Sequence, residues 1–380
     1  MSPPDLQLPL PAGPAALSVG RKPAAQHARD LGVSVEAVEL CRATDLIDLH
    51  IDTFIPPRLW GYDPRARHDG WILGRHFFGH LDLPRMRDAG LSGAMWSITT
   101  NPFRSADARW RTFQTNLERL GALVRASAGQ LMLAPTHAAY AAARAAGAHA
   151  VMVSVQGANA WEAAPRGAAT LAEDSVVRAT LVHLTSSCYG ATSSPHSMLR
   201  RDKGLTPAGV ALVQQLNAQR VFVDLAHIHP AAFWGAVAAH DRSQPLLATH
   251  TGVTGARPHW RNLDDAQLRA IAETGGVVGV IFATNFLSRP GGPRDARMVL
   301  EHMEHIIRVI GEDHVAVGSD YDGAISPPAE LGSGDRYPVL VQRMIDAGWP
   351  TARVEKVLGQ NFLRCFAALR PGRAGAAAPG

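Results

Sequence analysis

The chain alternates between short apolar runs and segments in which apolar residues recur at helical spacing. The apolar runs are continuous rather than alternating, which is typical of parallel strands that are buried on both faces. Amphipathic segments lie between most of them, and residues 206–219 begin with Thr-Pro, a pair that favours a helix start. The eight runs are DLIDLHID, LSGAMWSI, AVMVSVQ, RATLVHLT, VFVDLAH, PLLATH, GVVGVIF and VAVGSD.

Eight repeats of strand and helix predict an α/β fold, a (β/α)8 barrel of the TIM type. A length of 380 residues is compatible with one such domain. We predict a loose Pro/Ala-rich leader over residues 1–30, one barrel domain over residues 31–369 and a disordered tail over residues 370–380. The helical segment over residues 351–369 is expected to close the outer ring or to cover the base of the barrel.

Composition narrows the classes of partner. The net charge is only +4 and the basic residues are scattered, so the sequence does not indicate a nucleic-acid-binding tract. No apolar run approaches the ~20 residues that a membrane span needs, and the first residues lack the basic region of a secretion signal. Cys41, Cys188 and Cys365 lie far apart and are expected to be reduced thiols. We therefore expect a cytoplasmic protein that binds neither nucleic acid nor a membrane.

Six of the eight runs end in polar side chains of the kinds that catalyse reactions or bind metals. The carboxyl ends of barrel strands converge on one mouth, where the active sites of such barrels lie, so these side chains are expected to meet. They are His50 with Asp52, Gln156, Thr185, His227, His250 and Asp320.

The histidines and acids in this set suit a metal site. His50 and Asp52 are two residues apart, which places both side chains on the same face of a strand. Together with His227 and His250 they offer the mixture of nitrogen and oxygen ligands that zinc favours. A structural role is the commoner one for each histidine alone, and only their joint position at strand ends favours a metal site.

Other polar residues have competing interpretations. Asp320 is placed to accept a proton from metal-bound water and to return it to a leaving amine. A turn-forming role in an Asp-Gly loop fits Asp322 better than it fits Asp320. His302 and His305 lie three apart on a helix, where packing or surface roles are favoured over a metal pair.

These motifs resemble those of the membrane dipeptidase family (renal dipeptidase, peptidase family M19) within the amidohydrolase superfamily. The likeness runs from about Asp45 to Leu369. IDLHID resembles the family's first-strand His-x-Asp motif, and HVAVGSDYDG resembles its last-strand motif. Three longer or terminal blocks are also similar to the family's, namely GLTPAGVALVQQLNAQRVFVDLAHIH, PLLATHTGVTGARPHWRNLDD and GQNFLR.

The resemblance implies a binuclear zinc dipeptidase, and homodimers in the family imply a homodimer here. His50 and Asp52 would bind one metal ion, and His227 and His250 would bind the other. Asp320 would be the acid-base residue. The substrate-binding residues implied in the family's Arg-Asn block are Arg261, for the terminal carboxylate, and Asn262.

Two positions depart from the family pattern. Gln156 stands where the family has a glutamate that bridges two metals, and a neutral amide is a weaker bridge. A single ion, or weak and unequal occupancy, is therefore favoured over two full sites. Ser186 aligns with a histidine that contacts the substrate, a change that removes a donor worth about 10²–10³ in turnover. His183 is nearby but is expected at another position of the strand.

Several functions remain open on these residues. The first is a metal-dependent hydrolase with one or two zinc ions, in which metal-bound hydroxide attacks a dipeptide or a related small amide. The second is a catalytically degenerate relative that binds a small carboxylate ligand or a protein partner. A mononuclear enzyme that opens a lactone or a cyclic amide lies between them. Retention of four ligand-type residues at the strand ends favours the hydrolase.

Overall fold

The eight apolar runs form a closed barrel of parallel strands in the computed structural model. The structure describes residues 20–68, 77–170, 174–199 and 201–372. The strands in this part of the chain are β1 Leu46–Ile51, β2 Leu91–Thr99, β3 Leu131–Leu133, β4 His149–Gln156, β5 Arg178–Thr180, β6 Phe222–Asp224, β7 Leu247–Thr251, β8 Val277–Val280 and β9 Val315–Val317. Their order is β2-β1-β9-β8-β7-β6-β5-β4, and pairing of β2 with β4 closes the ring. The predicted (β/α)8 barrel is confirmed.

The short strand β3 has no counterpart among the predicted strands. It pairs with residues 149–151 of β4, whereas β5 pairs with residues 154–156 on the same edge of β4. The barrel wall therefore keeps eight strands, and β3 extends only the lower part of one edge. A strand of three residues is too short to give a periodic signal in the sequence.

Helices follow most strands and surround the barrel. Thr206 caps the helix Pro207–Ala218, as its Thr-Pro start predicts, because its hydroxyl accepts from the backbone N–H of Gly209 at 3.0 Å. None of the helices in the described ranges combines the length and apolar character of a membrane span. The helices are α1 Ala24–Leu31, α2 Val35–Ala43, α3 Ile55–Trp60, α4 Leu83–Ala89, α5 Ala106–Arg125, α6 His137–Ala145, α7 Pro207–Ala218, α8 Pro230–Ala239, α9 Asp265–Ala272, α10 Thr284–Leu287, α11 Arg297–Ile310, α12 Tyr337–Asp346, α13 Thr351–Glu355, a π-helical segment Lys356–Gln360 and α14 Asn361–Leu369.

The last helix covers the base of the barrel, as predicted for the segment that contains it. Phe362 and Phe366 of α14 stack on one another with ring centroids 5.3 Å apart. Both rings also face Phe222, at the amino end of β6, at 5.8 and 6.3 Å. This aromatic cluster seals the amino ends of the strands, so the opposite end is the open mouth.

The ends of the domain differ from the predicted boundaries. Helix α1 lies mostly within the predicted leader, and its His27 and Ala28 are buried. Arg370 lies in the predicted tail, yet it is buried and donates to the carbonyl oxygens of Pro135 and Arg220. The sequence does not reveal that these two segments pack against the barrel. Both have a low apolar content, and their attachment depends on a few side chains, namely His27, Ala28 and Arg370. Residues 1–19 and 373–380 lie outside the described residues.

Close backbone approach across the barrel, between the residue after β9 and strand β7, requires glycine at position 318. A Cβ added at Gly318 would lie 1.8 Å from the carbonyl oxygen of Thr249 in β7. Backbone atoms in a closed barrel have little freedom to move away, so even one methyl group causes overpacking here.

We predict that Gly318→Ala lowers the free energy of unfolding by about 3 kcal/mol, as overpacking of a rigid core does. The control is Gly121→Ala in α5, where the closest atom is the far end of the Arg125 side chain at 3.3 Å. The control should leave stability unchanged or raise it by about 0.5–1 kcal/mol. Denaturant unfolding measures both, and equal midpoints for Gly318→Ala and the unaltered chain would contradict the prediction.

Candidate metal centre

A cavity of about 730 Å³ opens at the mouth of the barrel. Its volume lies within the range of small-molecule sites. Its polar lining includes Asp52, Gln156, His183, His227 and Asp320. The upper wall is largely apolar and includes Ile55, Leu59, Phe77, Phe78, Leu184, Phe286 and Ile325.

Pairing beyond the strand ends brings Asp320 to the carboxyl end of β1. The backbone N–H of Asp320 donates to the carbonyl oxygen of His50 at 3.0 Å, and that of Asp52 donates to Tyr321 at 2.8 Å. As a result, His50 Nε2 lies 3.5 Å from Asp320 Oδ1 and 3.7 Å from Asp52 Oδ2.

The histidines after β6 and in β7 complete the cluster. His227 Nε2 and His250 Nε2 are 2.8 Å apart, and Gln156 Nε2 lies 3.4 Å from each. The rings of His50 and His250 stack with centroids 3.7 Å apart. The structure therefore brings together all five residues that the sequence predicts as metal ligands.

Two residues of the cluster have a strained backbone. His227 and Asp320 both have a φ of +64°, in the left-handed region that non-glycine residues rarely adopt. Such conformations cost about 1–3 kcal/mol each and persist where surrounding contacts hold them. Ser193 N–H donates to the carbonyl oxygen of His227 at 2.6 Å, and this hydrogen bond holds the backbone of His227 in place. The strain directs both side chains into the mouth.

Burial sets the protonation states of the cluster. It holds the pKa values of His50, His227 and His250 well below the ordinary histidine value, so the imidazoles are neutral. A neutral ring keeps one lone pair, which in His50 lies on Nδ1 and accepts from Arg178. Burial also raises the pKa of Asp52 to about 7. Burial and the negative charge of Asp52 raise the pKa of Asp320 well above its usual range. Two adjacent buried carboxyl groups ionise readily only beside positive charge.

The side chains present fit a divalent cation. Four buried ligand-type atoms have no hydrogen-bond partner among the described residues: His50 Nε2, Asp52 Oδ1, Gln156 Oε1 and Asp320 Oδ1. The potential ligand atoms of His50, His250 and Asp320 all lie within 4.8 Å of one another. Buried polar atoms normally have a partner, and a mixed set of imidazole, carboxylate and amide groups suits zinc.

A buried ion pair lies directly beneath the histidines. The guanidinium of Arg178 lies 3.3 Å from Asp224 Oδ2, and both side chains are fully buried. Arg178 Nη2 also donates to Nδ1 of His50 at 2.6 Å. Asp224 in turn accepts from the hydroxyl of Thr249, the residue before His250. The pair therefore connects β5 and β6 to histidines on β1 and β7.

The positions of the three residues predicted to bind substrate give little support to that role. Arg261 is buried and donates to the carbonyl oxygen of His250 at 2.6 Å, but it is not one of the described residues that line the cavity. The amide of Asn262 donates to Arg257 and Phe286, so it joins two loops. Ser186 Oγ accepts from Thr192 N–H in its own loop.

His183, rather than Ser186, lies at the cavity. Strand β5 ends at Thr180, so the chain leaves the sheet earlier than predicted and Ser186 falls in the following loop. The His183 ring meets that of His227 edge-on, with centroids 4.7 Å apart, and burial lowers its pKa to about 4. The sequence signal for this position is that the apolar pair Leu181-Val182 is followed directly by His183.

His302 has the packing role that the sequence favours. Its Nδ1 accepts from the backbone N–H of Val253 at 2.9 Å, and its Nε2 faces the carbonyl oxygen of Leu287 at 3.2 Å. These contacts tie α11 to the loops after β7 and β8. His305 pairs with Asp265 on α9 at 2.7 Å.

Comparison with known proteins identifies similar chains. A family model described as membrane dipeptidase (peptidase family M19) matches residues 35–376. The structure of dipeptidase AC, a metallopeptidase of family M19, has a TM-score of 0.74 and 26% identity over 87% of this chain and 99% of that chain. A metallopeptidase from Rhodobacter sphaeroides, bound to a phosphinate mimic of the dipeptide L-Ala-D-Ala, has a TM-score of 0.73 and 25% identity over 86% and 99%.

One curated relative is more similar over a shorter length. An uncharacterized protein in the pqqA 5′ region of Klebsiella pneumoniae is 42% identical over 165 residues. The match covers 42% of this chain and 59% of that protein, so the chain spans about three-fifths of the length of this relative.

We predict that Asp224→Asn lowers the free energy of unfolding by about 3–5 kcal/mol, because it leaves the buried Arg178 without a counter-charge. The control is Glu273→Gln, which breaks the solvent-exposed ion pair with Arg242 and should cost about 0–1 kcal/mol. Denaturant unfolding distinguishes the two. Equal small losses would show that the buried pair does not support the barrel.

Proposed function

Because the chain belongs to the membrane dipeptidase family (peptidase family M19), we propose that it is a zinc-dependent hydrolase that cleaves a dipeptide or a related small amide. The observation that carries this proposal is the convergence of unpartnered ligand atoms from His50, Asp52, Gln156 and Asp320 at one mouth. Two metallopeptidases with a similar fold support the metal-dependent class. One of them binds a dipeptide mimic, which supports a dipeptide as the first substrate to test.

The proposed ligands are Asp52, His227 and His250, with the amide oxygen of Gln156 beside them. His50, whose Nδ1 accepts from Arg178, would have to lose its Nε2 proton to bind the ion as the family resemblance implies. Neutral imidazoles and buried carboxyl groups supply the lone pairs and the negative charge that a cation needs. Zinc bound there would polarise the scissile carbonyl and lower the pKa of a water molecule.

Asp320 is the proposed acid-base residue. Its Oδ1 is buried, has no partner in the described ranges and lies 3.5 Å from His50 Nε2. Burial and neighbouring Asp52 raise its pKa, so the carboxyl group holds a proton more firmly than an exposed aspartate does. A group with this property can take a proton from the attacking water and give it to the leaving amine.

His183 and Arg261 are proposed to orient the substrate. His183 is neutral and lines the cavity, so its ring N–H can donate to the carbonyl oxygen as negative charge develops there. We therefore assign to His183 the contact that the sequence alignment gives to Ser186. Burial raises the pKa of Asp320, and the positive charge of Arg261 opposes that rise. The charge of Arg261 therefore acts on groups in the site, although its side chain does not line the cavity. Arg261 is accordingly our candidate for the terminal carboxylate.

Gln156 favours one cation rather than two. The amide carries no charge, so fewer negative charges offset the repulsion between two divalent ions. The same change is the feature that favours a binding protein without catalysis. The number of metal ions therefore separates the alternatives.

We predict one zinc ion per chain in the unaltered protein and two in Gln156→Glu, measured by elemental mass spectrometry after gel filtration of zinc-supplemented protein. The control is Gln114→Glu, which adds the same charge at an exposed position of α5 and should leave the count at one. Two ions in the unaltered chain would contradict the single-ion proposal. Absence of zinc from the unaltered chain would contradict the hydrolase and favour the binding protein.

We predict that His183→Ala lowers turnover by about 10²–10³ while zinc content stays the same, because it removes a donor to the developing oxyanion. The substrate is a dipeptide panel that includes L-Ala-D-Ala. Ser186→Ala is the matched control and should retain full turnover, since its hydroxyl faces its own loop. Loss of turnover in the Ser186 variant with none in the His183 variant would reverse the assignment.

A further inference from the structure

The carboxylate of Asp224 is the acceptor in each of its hydrogen bonds. Its Oδ1 accepts from the backbone N–H groups of Ala226 at 3.1 Å and Thr249 at 3.0 Å. Its Oδ2 accepts from the hydroxyls of Thr180 at 2.8 Å and Thr249 at 2.7 Å. With Arg178 also at 3.3 Å, both oxygens of the carboxylate are surrounded by donors.

The hydroxyl of Thr249 has a single proton and two neighbours that compete for it. Asp224 Oδ2 lies 2.7 Å from Thr249 Oγ1, and His250 Nδ1 lies 2.9 Å from the same oxygen. Both oxygens of Asp224 already accept hydrogen bonds from other donors, so Asp224 is the acceptor here too and the proton of Thr249 points to it. The oxygen of Thr249 is then an acceptor for His250, whose Nδ1 must carry the ring proton.

A local irregularity in β7 allows this contact. Neighbouring side chains on a regular strand point to opposite faces. The register of β7 against β8 shifts between Ala248 and Thr251, which lets the side chains of Thr249 and His250 meet. The three side chains are fully buried, so solvent does not compete for these hydrogen bonds.

We propose that Asp224, acting through Thr249, fixes the tautomer of His250 so that Nε2 presents a lone pair to the metal centre. Nε2 is the atom of His250 that faces His227 and Gln156 at the base of the cavity. Asp224 and Thr249 are thus positioning residues that touch neither substrate nor metal. The inference rests on the proposed function only in that a cation is what uses the lone pair.

The test uses the full chain and compares Thr249→Val, which deletes the hydroxyl, with Thr249→Ser, which retains it. The matched control is Thr180→Val, because it removes the other hydroxyl bound to Asp224 Oδ2 without touching His250. Asp224→Asn is avoided because it also removes the counter-charge of Arg178. If Thr249→Val does not fold, Thr249→Ala deletes the same hydroxyl without the added methyl group.

The first readout is the tautomer of His250, from ¹⁵N-histidine NMR of chelator-treated protein, with the signal assigned by its loss in His250→Gln. The unaltered chain and Thr249→Ser should show the proton on Nδ1, and Thr249→Val should show a mixture of tautomers. His50 gives an internal reference, because Arg178 donates to its Nδ1 and the neutral ring then carries its proton on Nε2.

The second readout is zinc affinity by competition with a chelator. Loss of a group that orients a ligand typically costs ten- to a hundredfold in affinity, so we expect about that loss in Thr249→Val and none in Thr249→Ser. An unchanged tautomer in Thr249→Val, or an equal affinity loss in Thr180→Val, would overturn the inference. If the unaltered chain binds no zinc, the proposed function fails, and the tautomer comparison in metal-free protein still decides the role of Thr249.

Discussion

The buried ion pair between Arg178 and Asp224 supports the whole mouth of the barrel. Parallel strands that close into a ring bring their polar ends together, and little water reaches the space beneath them. A lone charge there would be costly, and the pair offsets that cost while its remaining donors and acceptors orient histidines on two other strands. His50 and His250 consequently stack with their Nε2 atoms directed toward the same site.

Much of the fold and part of the site could be predicted from the sequence, because both depend on local patterns. Eight apolar runs predict eight barrel strands, and polar residues at their ends predict the cluster around His250. The link from Asp224 through Thr249 to His250 could not be predicted, because it depends on an irregularity within β7. The family resemblance places Ser186 at the substrate-contacting position, whereas β5 ends at Thr180 and His183 lines the cavity. A strand end shifted by a few residues changes which side chain reaches the mouth.

Under the proposed function, Gln156 is the residue that decides the number of metal ions. It keeps the position and size of a bridging ligand but not the charge, while the neutral imidazoles and buried acids around it remain. Under the proposed function, charge balance at the mouth, rather than geometry alone, would control how many ions the site holds. Membership of the family supports hydrolysis as the proposed reaction. The upper wall of the cavity is largely apolar.

The most direct test of a metal centre at this mouth is anomalous X-ray diffraction at the zinc edge from crystals of the zinc-loaded chain. We expect one strong peak at the base of the cavity, bonded to Nε2 of His250 and to at least one carboxylate of Asp52 or Asp320. A cavity without an anomalous peak, in crystals whose surface histidines do bind zinc, would contradict the metal-dependent function proposed for this site.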